Sequence, residues 1–79
     1  MSDYRYAQEA KRRVREQYGA DPRVLGVGVR VDDGDGYAVE VLLERALDDT
    51  PPEVCPAEVG GDRQDVPVHW RVTGPITPL

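Results

Sequence analysis

The sequence predicts an α+β fold, a two-layer sandwich in which one N-terminal helix packs on a three-stranded, mainly antiparallel sheet in the order α-β-β-β. Three observations predict it: apolar residues recur every three to four positions before Gly19, they alternate on both sides of the acidic bend "DDGDG", and they alternate again near the C-terminus. Everything falls within one small domain, residues 1–79. A chain of this size buries only about 60 to 65% of the surface its unfolded form exposes, so the core must be thin. With 39% hydrophobic residues, one Trp, four Tyr and no Phe, the composition suits a single layer of helix on sheet.

The helix is expected over about 3–18. Ser2 or Asp3 can cap it with a side-chain oxygen, and Gly19 is the natural stop, supplying a left-handed residue past the last turn. Ala7, Ala10, Val14 and Tyr18 form one apolar stripe with Tyr6 beside it, while Lys11, Arg12, Arg13 and Arg15 mix with Glu9 and Glu16 on the opposite face. Asp21 and Pro22 break the run.

The first strand is expected over about 23–31. Leu25, Val27, Val29 and Val31 share one branched, apolar face; the other carries Val24, Gly26, Gly28 and Arg30 and is nearly bare at its glycines. A second strand follows over about 37–44, where Tyr37, Val39, Val41 and Leu43 alternate with Ala38, Glu40, Leu42 and Glu44. The two runs form a hairpin with their apolar faces under the helix. Residues 45–64 hold three prolines and a glycine pair, which reads as a long connector with room for one helical turn at Glu53–Glu58. The last strand is expected over about 66–73, with Val66, Val68, Trp70 and Val72 facing the core. Pro67 lacks an amide donor, which places the start of that strand at an edge or bulge. An irregular tail occupies 74–79.

Charge and cysteine usage narrow the function. The 15 acidic and 10 basic residues give a net charge of -5, a field that opposes nucleic acid and anionic lipid, so neither is an expected partner. The single cysteine, Cys55, forms no intrachain disulfide, and no run is apolar enough for a signal peptide or a membrane span. The expected location is the cytoplasm.

Four features invite a chemical reading. "DDGDG" suggests a calcium loop, but aligning Asp33, Asp35 and Gly36 to positions three, five and six of a helix-loop-helix site puts Val31 first and Leu42 twelfth, where oxygen ligands are required. The bend therefore reads as a hairpin tip, with weak cation association at Asp32, Asp33 and Asp35 as the residual expectation. Cys55 and His69, with Asp62 or Asp65 as orienting acid, are the residue types of a thiol enzyme, yet nothing in their spacing brings them within hydrogen-bond reach. One thiol and one imidazole are also too few for structural zinc, and no metal, cofactor or catalytic set is expected. Trp70 shares the parity of the core valines. The glycines of "GVGV" lie within a strand, not in a turn leading to a helix, so they do not cradle phosphate; they leave a smooth face open to another backbone or ring. Gly26, Gly28 and Arg30 are accordingly the candidate interaction surface.

The pieces "VLGVGV" at 24–29, "YAVEVLL" at 37–43 and "VPVHWRVTGPI" at 66–76, with the helix before them, resemble a family of short bacterial modules. Some similar modules precede trypsin-like peptidase domains and others stand alone. The resemblance implies no catalytic residue. This chain departs from the pattern where the family reaches "VPV" through "DG" and it has "GGDRQD". The helix-then-strand order is also similar to heavy-metal-associated domains, but their paired cysteines are missing. The expected function is a noncatalytic protein-interaction or accessory module, with a protein partner or self-association. The alternative is a peptidase-associated regulatory or inhibitor-like module, and a third is a small thiol-dependent enzyme.

Overall fold

The computed structural model describes residues 4–31 and 36–74. Within them lie α1 (Tyr4–Tyr18), β1 (Val24–Val31), β2 (Tyr37–Leu43), β3 (Val54–Val59) and β4 (Asp62–Val72). Ser2 and Asp3, the expected helix caps, fall outside the described residues, as do Asp32, Asp33 and Asp35 of the bend and positions 75–79 of the tail. The α+β class is as expected; the strand count and pairing are not.

The sheet has four strands in the order β1-β2-β4-β3 and is mixed. β1 pairs antiparallel with β2 and β3 antiparallel with β4, while β2 and β4 run parallel, aligning Val39 with Val68 and Val41 with Trp70. Two hairpins are thus joined side by side. The parallel ladder needs no separate crossover helix, because residues 44–53 cross one end of the sheet and β3 carries the chain back before β4 begins.

The extra strand corrects the expectation of a connector over 45–64 and of a helical turn at Glu53–Glu58. "VCPAEV" places Cys55, Ala57 and Val59 toward the helix, and Gly60 and Gly61, at φ 60° and 86°, make the tight reversal into β4. Pro56 is tolerated because β3 is an edge strand. Pro67 is tolerated for a different reason. Val68 N donates to Glu53 O at 2.8 Å, so position 67 faces β2, whose pairing with β4 starts only at Val68.

The helix buries Tyr6, Ala7, Ala10 and Val14, the stripe expected from the sequence. Beneath it lie Val39, Val41, Leu43, Ala57, Val66 and Val68, with Val24, Val27, Val29, Tyr18 and Trp70 packed around the cluster. Leu25 departs from the predicted face and is 50% exposed. The register slips between Val24, which faces Leu43, and Gly26, which faces Leu42, so Leu25 is the extra residue of a bulge and Val24 takes the core position in its place.

Gly19 ends the helix, but not through the left-handed conformation expected of it: among the described residues the positive-φ glycines are Gly60, Gly61 and Gly74. Its amide donates to Arg15 O at 2.8 Å, and a side chain at this position would collide with that same carbonyl. The turn that follows is tied by Asp21. Its carboxylate accepts from Arg23 Nε at 3.0 Å, Nη2 at 2.8 Å and the Arg23 backbone amide at 2.9 Å. These bonds hold the Asp21 carboxyl down at about 2. Because it titrates lower in the folded than in the unfolded chain, its contribution is complete above about pH 4 and is lost as the pH falls toward 2. Asp21→Asn is therefore expected to flatten the acid limb of a stability-against-pH profile between those values; an unchanged limb in urea titrations would count against this tie.

Candidate interaction surface

The helix covers one face of the sheet only. On the opposite face β1 presents Gly26, Gly28 and Arg30, and these stand across from Leu42, Glu40 and Ala38 of β2. The rows continue onto β4, where Glu40 aligns with His69 and Leu42 with Arg71. The three residues expected to form a surface therefore share one face of one strand. The sequence did not single out Glu40 and Leu42 as their neighbours, because strand pairing is not a local property.

Arg30 and Glu40 form an ion pair at 3.0 Å, reaching diagonally across the ladder beside the bare Gly28. A Cβ built at Gly26 or Gly28 would meet nothing within 4 Å, and neither residue has a positive φ. Neither packing nor backbone geometry therefore requires glycine at these positions. Gly28→Ala is expected to raise stability by about 0.4 to 1 kcal/mol through the unfolded chain's lost freedom. A urea midpoint below that of the parent chain would show that the fold does need the glycine.

The two edges of the sheet differ. Among the described residues no strand lies beyond β1. At the other edge Pro56 supplies no amide, and its carbonyl accepts from Arg13 Nη1 at 2.9 Å. The helix thus reaches over and occupies β3, while among the described residues no strand pairs with the outer row of β1 backbone groups. Arg13 also approaches Glu9 at 3.4 Å, and Arg12 bridges Glu9 and Glu16, at 2.8 Å to the latter, so two cations of the basic helix face already meet carboxylates of their own helix. The Arg12 bond lowers the Glu9 carboxyl below its usual range.

Cys55 and His69, the nucleophile and base of the thiol-enzyme reading, lie on opposite faces of the sheet. Cys55 points to the helix side, with Sγ 3.9 Å from Ala10 O, and burial pushes its thiol up, which favours the protonated form. His69 stands on the other face of the sheet, beside Glu40. Asp62 lies at the far end of β4 across from Val59, and Asp65 lies across from Pro56. Among the described residues no group of three or more His, Cys, Asp and Glu is placed to hold a metal ion, and the acids of the bend lie outside those residues.

Trp70 faces the helix side as its parity predicts, edge-to-face with Tyr18 at 5.0 Å between ring centres. Its indole N–H donates to Pro52 O at 2.7 Å, so it also fastens the 44–53 segment to the sheet, a role that parity alone does not reveal. Among the described residues no helix is long and apolar enough to cross a membrane. Comparison with protein families, with curated proteins and with solved structures returns no match.

Proposed function

We propose that this protein is a noncatalytic interaction module that takes a protein partner along β1, by strand addition at its outer edge and contact with the flat face at Gly26, Gly28 and Arg30. The observation that carries this reading is the asymmetry of the edges: Pro56 and Arg13 occupy one, and at the other β1, beyond which no strand lies among the described residues, carries two glycines that the fold itself does not need. An edge strand left in this condition is a template for another chain.

A photo-crosslinking residue installed at Val31, which is exposed on β1 and lies outside the row of Gly28 and Glu40, tests it in the host cell, with the exposed helix position Gln17 as control. The expected result is a discrete protein adduct from position 31 and none from position 17. Equal labelling at both positions, or no adduct at 31, would remove the reading.

A further inference from the structure

We infer that the partner on β1 is a second copy of this chain, paired antiparallel about a two-fold axis through Val29. The inference rests on the reading of β1 as the docking edge and adds the identity and register of the occupant.

The register follows from the strand's own residues. The bulge at Leu25 interrupts the regular alternation of β1, which leaves the unbroken stretch from Gly26 through Val31 for pairing. A two-fold axis at Val29 sets Val29 against itself, Val27 against Val31, and Gly28 against Arg30. On the helix side, Val31, which is 69% exposed in the single chain, gains an apolar neighbour across the new ladder. On the open side, Arg30 of the second copy lies beside Gly28, with Glu40 one strand further on. Neighbouring strands are about 4.8 Å apart, so the backbones carrying that Arg30 and Glu40 are roughly 10 Å apart, a gap their two side chains can span together. They can meet only because Gly28 puts nothing between them. By symmetry the contact occurs twice, and each Glu40 is then flanked by two guanidinium groups.

The same geometry explains why association would stop at two. The joined sheet runs β3-β4-β2-β1-β1-β2-β4-β3, and both of its outer edges are β3, where Pro56 and Arg13 bar a further strand. The contact is isologous and closed, as a dimer requires.

Sedimentation equilibrium of the full chain tests the proposal, with circular dichroism and urea midpoints confirming that each variant folds. The wild type is expected at twice the 8.8 kDa chain mass. Arg30→Glu sets like charges against each other across the axis and is expected to weaken the dimer at least about tenfold, while adding Glu40→Arg restores it to within about threefold. A folded Arg30→Glu that dimerises as tightly as wild type, or a folded double variant that stays as weak as the single one, overturns the proposal. So does a wild-type monomer at about 100 μM, a concentration at which a specific dimer is populated. The adduct at position 31 separates self-pairing from edge docking. A mass of two chains supports self-pairing. A different protein there, with the wild type monomeric, overturns self-pairing and leaves the edge-docking reading standing. With neither adduct nor dimer, both fall.

Discussion

Val39→Ala is expected to remove about 2 to 3 kcal/mol of stability, from two lost methyl groups and an unfilled space. Val39 is fully buried at the middle of β2, aligned with Val29 on one side and Val68 on the other, so its deletion loosens both ladders under the helix. A domain of this length has roughly 4 to 12 kcal/mol in all, and the loss corresponds to a fall in Tm of about 10 to 20 °C. Leu25→Ala, a larger truncation, is expected to cost no more than about 0.5 kcal/mol because the bulge leaves Leu25 in water. Urea unfolding of the two variants checks both halves. Equal losses would mean that Leu25, and not Val24, faces the core.

Ala10→Leu is expected to destabilise by about 1 to 3 kcal/mol although the side chain becomes more apolar. Ala7 and Ala10 are both fully buried, and the Ala10 carbonyl is 3.9 Å from the Cys55 sulfur, so helix and β3 approach closely at this point. Three further carbons have no space unless the helix lifts from the sheet. Helix propensity does not enter, since leucine and alanine are both strong helix formers. Gln17→Leu, on an exposed position of the same helix, is the control and is expected to stay within about 0.5 kcal/mol. Thermal melts of the pair decide the matter, and parity between them would mean that the helix packs loosely.

These two sites also mark how far the fold was legible in the sequence. The helix stripe and the first hairpin were readable because each rests on residues a few positions apart. The bulge was not, since "VLGVGV" alternates without a break and only the pairing with β2 shows which valine turns inward. β3 was missed because Pro56 and the small residues around it carry the signals of a turn. Pro56 is compatible with a strand only at an edge, and edge position is a property of the whole sheet. The polar "DRQD" hid the start of β4 in the same way, as these residues pair with β3 where the sheet is exposed. That Gly26, Gly28 and Arg30 share one face of β1 was visible from their spacing. The closure of the opposite edge was not, because Arg13 and Pro56 meet across 43 residues of sequence.

The joining of two hairpins by a parallel ladder has a kinetic consequence. Each hairpin closes over a short stretch of chain, a process that takes about 1 to 10 μs, whereas setting β4 beside β2 must close a much longer loop before any contact rewards it. The rate of folding is therefore expected to be set by the meeting of two preformed halves. Trp70, the single tryptophan, lies in that seam, level with Val41 and against Tyr18, so its fluorescence reports the step at which the halves meet.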